Sequence, residues 1–116
     1  MARKQPETKF KEKIFPILKL LPNSFYFSAQ MKSIRGIPDI VGCINGVFVG
    51  LELKKNRAES RRKTGRTVLQ GHRLIQIRNA GGYGEFVYPE NWEEIHKELS
   101  AIANRSGALS SIARRP

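Results

Sequence analysis

Three charged residues stand where apolar strands should carry none. Asp39, Glu52 and Lys54 lie in GIPDIVGCINGVFVGLELKK, residues 36–55. Two hydrophobic runs flank Asn45-Gly46, the strongest short-range hairpin signal, because both central positions of a type I′ turn take positive φ. With those two residues as the loop, Ile44 pairs with Val47 and Asp39 falls opposite Glu52. Opposed side chains of an antiparallel pair have Cβ atoms about 4.5–5.5 Å apart. Two carboxylates at that distance repel, so the pair calls for a neutraliser. A hard divalent cation with oxygen ligands, Mg²⁺ or Mn²⁺, fits that need.

The same register sorts the remaining side chains. Ile40, Ile44, Val47, Val49, Leu51 and Leu53 fall on one face, which reads as core. Asp39, Glu52 and Lys54 fall on the other, with Gly50 leaving space beside them. Glu52 and Lys54 are same-face neighbours roughly 7 Å apart, and Lys54 is diagonal to Asp39. Two carboxylates and an amine converge on one small volume. That set suits phosphodiester hydrolysis, which needs an activated water, charge stabilisation on the phosphate and help for the leaving oxygen. Lys54 would orient the water or stabilise developing negative charge.

This constellation resembles the PD-(D/E)xK nucleases. Pro38-Asp39 matches the PD and Glu52-Leu53-Lys54 the ExK. GIPDIVG, then FVGLELK, then a helix carrying Gln70, looks more narrowly like the virus-type replication-repair nuclease (VRR-NUC) domain, a likeness that covers roughly residues 7–99. The resemblance implies an α/β fold with a restriction-endonuclease-like core, a central mixed sheet flanked by helices. In that core the strand after the second helix runs parallel to the ExK strand. The resemblance also implies Asp39, Glu52 and the Leu53 carbonyl as metal ligands, with Gln70 in the active site near the water or phosphate. A first-helix glutamate reaching the metal is implied too. Glu7 matches its place, and Glu12 is the alternative. Free-standing members of the family suggest a homodimer acting on four-way junctions.

The elements that must position these residues follow from periodicity. Residues 7–21 predict a helix with Phe10, Ile14, Leu18 and Leu21 on one stripe, kinked or split at Pro16. Residues 25–30 predict a strand, and Lys32, Ser33, Ile34 and Arg35 a basic approach to the motif. NRAESRRKTGRT, residues 56–67, reads as a mobile basic loop. A second helix is expected over residues 67–79, with Thr67 as N-cap, Gln70 at capping-box spacing and Gly81-Gly82 as its stop. Residues 85–88 predict a strand. Trp92, Ile95, Leu99 and Ile102 mark a last helix. Residues 1–103 read as one domain, and 104–116 as a basic tail with too little apolar pattern to pack alone.

The chain has 116 residues, 21 Lys plus Arg against 10 Asp plus Glu, and a formal charge of +11. Such an excess implies a polyanionic partner. DNA contacts are expected from Arg35, Lys55, Arg57, Arg61, Arg62, Lys63, Arg66 and Arg73, with Arg78 extending that surface. No apolar run approaches bilayer length, and the opening MARKQPETKFKEK is too charged for a secretory signal. Cys43 is the single cysteine, which excludes an intrachain disulfide and suits a reducing cytosol. His72 and His96 lack metal-ligand spacing and read as helix-surface or packing residues.

The expectation is therefore a cytoplasmic, metal-dependent endodeoxyribonuclease selective for branched DNA. A non-catalytic basic binding module, or a sequence-specific restriction-type enzyme, are the alternatives.

Overall fold

The β-hairpin forms in the expected register. In the computed structural model, which describes residues 5–29 and 34–106, β2 (Ile40–Ile44) and β3 (Val47–Leu53) are antiparallel with Ile44 opposite Val47 and Ile40 opposite Leu51. Asn45 and Gly46 both have positive φ, 47° and 86°, as a type I′ turn requires. The Asn45 side chain then reaches across the molecule. Its Nδ2 donates to the carbonyls of Ile102 (3.0 Å) and Arg105 (2.7 Å), so one turn residue also satisfies carbonyls at the end of the last helix.

Around the hairpin the order is α1 (Pro6–Lys19), β1 (Ser24–Ser28), β2, β3, α2 (Arg57–Ser60), α3 (Gly65–Asn79), β4 (Tyr83–Val87) and α4 (Trp92–Ala103). The four strands form one mixed sheet, β1-β2-β3-β4, in which β4 runs parallel to β3 and the other pairs are antiparallel. The chain is thus α/β with helices on both faces of a mixed sheet.

Strand alternation divides the work of the two faces. Ile40, Ile44, Val49, Leu51 and Leu53 point into a core completed by Phe10, Ile14 and Leu18 of α1 and by Ile95, Leu99 and Ile102 of α4. The opposite face carries Gly50 and Glu52 and is covered by α3. Close approach there depends on two glycines side by side in the β3–β4 register, Gly50 and Gly84. A Cβ at Gly84 would lie 2.7 Å from the Leu74 carbonyl oxygen, and one at Gly50 would lie 2.6 Å from Ile77 Cδ1. The space beside Gly50 is therefore filled by Ile77 and Pro38 rather than left open.

Several boundaries differ from the sequence expectation. α1 is one helix through Pro16, not two. It already ends at Lys19. β1 ends at Ser28, and β4 begins at Tyr83 rather than Glu85. The basic segment is not wholly loop: Asn56 accepts from the Glu59 amide and caps the single-turn α2. α3 starts two residues early because Thr64, not Thr67, is its N-cap, its side chain accepting from the Thr67 amide. Gly81 takes φ 92° and donates to the Arg78 carbonyl while Gly82 donates to Ile77. This is the Schellman closure that the glycine pair predicted. Lys32, Ser33 and the tail from residue 107 lie outside the described residues. No helix among the described residues is long and apolar enough to cross a membrane.

Candidate metal-dependent active site

The paired strands of the hairpin end at Ile40 and Leu51, and Asp39 is the next residue out. Its backbone carbonyl accepts from the Ala29 amide (2.9 Å), tying it to the end of β1. Its carboxylate Oδ2 accepts from the Leu53 amide (2.9 Å), so the side chain is held over β3 beside Glu52. Lys54 is fixed by its own amide, which donates to the Val87 carbonyl (2.9 Å) of parallel β4. Its Nζ lies 5.9 Å from the Phe86 ring centroid and donates to Gln70 Oε1 at 2.7 Å. Gln70 is 6% exposed. Its side chain therefore pairs with the ExK lysine and does not close a capping box.

Glu52 is the electrostatic oddity. It is 3% exposed, and its Oε1 is a buried oxygen with no hydrogen-bond partner among the described residues. Burial pushes its carboxyl up to about 10, and hydrogen bonding and charge from Asp39 push the same way. Lys54 and Arg66 pull in the other direction without cancelling the rise. A carboxyl in that state is neutral at ordinary pH, sharing its site with a second acid. A divalent cation would offset the rise by favouring the charged form. It would give the orphaned oxygen a partner and separate the two acids electrostatically.

The donor set is small. Among the described residues no group of three or more His, Cys, Asp or Glu side chains is arranged to hold a metal. Asp39 and Glu52 are two carboxylates, and Mg²⁺ is commonly held by one or two with waters completing its shell. The residues present therefore fit a hard cation, and Leu53, whose carbonyl the resemblance implies as a backbone ligand, lines the same cleft. Glu7 lines the same cleft but does not complete a three-acid cluster. Glu12 instead borders a neighbouring hollow with Phe15, Pro16 and Ser28.

The cleft is about 340 Å³ and draws on four elements and their junctions. α1 contributes Glu7, Thr8 and Lys11, the hairpin end Asp39, Glu52, Leu53 and Lys54, and the α2–α3 segment Glu59, Arg62, Thr64, Arg66, Thr67 and Gln70. Sequence reasoning missed Thr8, Lys11, Glu59, Thr64 and Thr67. Lys11 had a signal, since it follows Glu7 by four residues and must share its helix face. Its Nζ donates to Ser28 Oγ on β1.

The basic residues separate into groups. Arg62 and Arg66 line the cleft. Lys55 and Arg62 flank Glu59 at 3.4 and 3.3 Å, while Arg61 and Lys63 are exposed beside them. Arg35 lines an adjoining cavity. Arg57 is directed elsewhere, stacking over Tyr88 at 5.8 Å. Arg73 is spent on the Arg35 carbonyl and on Gln76. Arg78 is paired with Glu85 (3.0 Å) and donates to the Gly84 carbonyl, with its side chain 46% exposed. His72 is exposed on α3, and His96 packs on Trp92 with ring centroids 5.3 Å apart.

Compared with known proteins, the chain matches no family model, no curated sequence and no solved structure.

Proposed function

We propose that this chain is a Mg²⁺- or Mn²⁺-dependent endodeoxyribonuclease of the PD-(D/E)xK type, similar to VRR-NUC domains and selective for branched DNA. The observation that carries this reading is the buried Glu52 Oε1, unpartnered among the described residues, beside Asp39 and next to a lysine held by Gln70. A surface salt-bridge face would leave neither an orphaned buried oxygen nor a raised carboxyl.

Asp39 and Glu52 would hold the ion, with the Leu53 carbonyl. When bound, such an ion polarises a phosphoryl oxygen and lowers the pKa of attached water. The chain supplies the rest. Lys54, fixed on Gln70 Oε1, places positive charge beside the carboxylates, where negative charge develops on the phosphate in the transition state. Arg62 and Arg66 on one wall and Lys11 on another provide cations for the flanking phosphates. A domain of 116 residues offers little surface for reading a base sequence directly, which favours a substrate chosen by its shape, such as a branch. A four-way junction has two scissile strands, so a homodimer with two such clefts suits it.

The test compares a four-way junction with linear duplex of the same sequence in Mg²⁺, Mn²⁺ and chelator. Cutting of the junction alone, lost in chelator, is expected. Cutting of linear duplex at one sequence would replace this reading with a restriction-type enzyme, and a gel shift without cutting would replace it with a binding module.

A further inference from the structure

Beside the metal cleft lies a second cavity of about 670 Å³, lined by Ile34, Gly36, Ile37, Gly65 and Leu69 together with Ala29, Arg35, Asp39, Arg66 and Gln70. Three of these residues, Asp39, Arg66 and Gln70, also line the first cleft, so the two spaces meet along one seam. Their chemistry differs. The first is ringed by charge. The second offers apolar walls from the 34–37 loop and from Leu69, with Arg35 and Arg66 as its cations.

The shape of the second cavity is set by the backbone. Gly36 has φ 77°, and a Cβ there would lie 2.8 Å from Leu69 Cγ. Only glycine lets the loop pass this close to α3. At the other side, a Cβ on Gly65 meets nothing within 4 Å, so the wall opens at the first turn of the helix. Ile34 is 40% exposed, a large apolar side chain facing solvent on a chain of charge +11.

We infer that this cavity is a nucleobase slot, which receives the unstacked base of the nucleotide next to the phosphate cut at Asp39 and Glu52. The inference rests on the endonuclease reading above. A phosphate at the seam places its own sugar and base within reach of one cavity or the other, and only the second has apolar walls for a base. The aliphatic walls make no hydrogen bond to a base edge, so contact with them does not select one base over another. Extrusion is least costly where the base is already unpaired. The slot thus makes unpaired nucleotides at branch points the preferred substrate, without any reading of sequence.

The experiment first maps the bond cut by the wild-type chain in Mn²⁺. Oligonucleotides with 2-aminopurine on either side of that bond are then bound in chelator, and the fluorescence is followed. The wild type is expected to raise the fluorescence several-fold at one of the two positions, because the base leaves its stack. Gly65→Val, which fills the opening without striking the protein, and Ile34→Ser should each lose most of that rise. Both should raise KM about tenfold or more on branched DNA while keeping phosphate-driven binding and the wild-type melting temperature. Cleavage with unchanged 2-aminopurine fluorescence at both positions, or variants equal to wild type, would overturn the slot and leave the nuclease standing. Absence of any metal-dependent cut would overturn the nuclease reading and the slot with it.

Discussion

At the scale of single residues, the site is governed by Glu52. Its carboxyl is raised from 4.5 to about 10 by burial and by Asp39. A group raised in the folded state stabilises the fold below its unfolded pKa, and that stability drains away as pH climbs toward the folded value. The chain in chelator should therefore melt at a lower temperature at pH 9 than at pH 5. Glu52→Gln should flatten that dependence and melt higher than wild type at pH 9, since an amide, unlike the carboxyl, does not ionise when the chain unfolds. Manganese at 100 times its Kd should add about 2.7 kcal/mol to the wild type and far less to the Gln variant. Melting curves in chelator and in manganese check all three, and a wild-type midpoint that rises with pH would contradict the assignment. In the proposed reaction Lys54 acts on the transition state rather than on binding. Lys54→Ala should lower cleavage by about 100-fold or more while DNA binding in chelator stays close to wild type. Gel shift and single-turnover cleavage separate the two effects.

At the scale of elements, the placement of α3 decides whether the motif becomes a site. Gln70 meets Lys54 only because α3 lies close against β3 and β4, and two neighbouring glycines allow that closeness. The two are not equivalent. A methyl at Gly84 strikes the Leu74 backbone carbonyl, which cannot move without the helix. One at Gly50 strikes the end of the Ile77 side chain, which can rotate, and touches the Pro38 ring at 3.0 Å, where a shift of a few tenths of an ångström suffices. Gly84→Ala should cost about 1–3 kcal/mol and also lower kcat by shifting Gln70. Gly50→Ala should cost less and leave kcat nearer wild type. Chemical denaturation together with cleavage assays reads both, and equal penalties would mean that α3 sits farther from the sheet.

At the scale of the whole molecule, the charge of +11 is unevenly employed. Arg78 and Arg73 are committed to partners within the fold, whereas Arg62, Arg66 and Lys11 border the cleft and Arg61 stands exposed beside them. Replacing Arg61 and Arg62 together with Gln should reduce the slope of log K against log salt by about 2, near 0.9 for each phosphate that is no longer neutralised. Arg78→Gln should leave that slope unchanged. Fluorescence anisotropy across a salt series measures both. An unchanged slope in the double variant would move the α2–α3 segment off the DNA path.

Much of this architecture is local and was legible in the sequence. The Asn45-Gly46 turn fixes the hairpin register because a two-residue loop leaves no slack, and register fixes which side chains share a face. That is enough to bring Asp39, Glu52 and Lys54 to one end of one surface. Gly81-Gly82 ended α3 for an equally local reason, the left-handed backbone at its C-terminus. Other features belong to the tertiary structure alone. Thr64 displaced Thr67 as N-cap because helix starts are decided by backbone direction as much as by residue type. Lys11 entered the cleft, Glu52 lost its solvent, and Gln70 found Lys54, all through the packing of segments distant in the chain. Such packing is set by the fit of a helix against a sheet, and periodicity along a single segment carries no information about that fit.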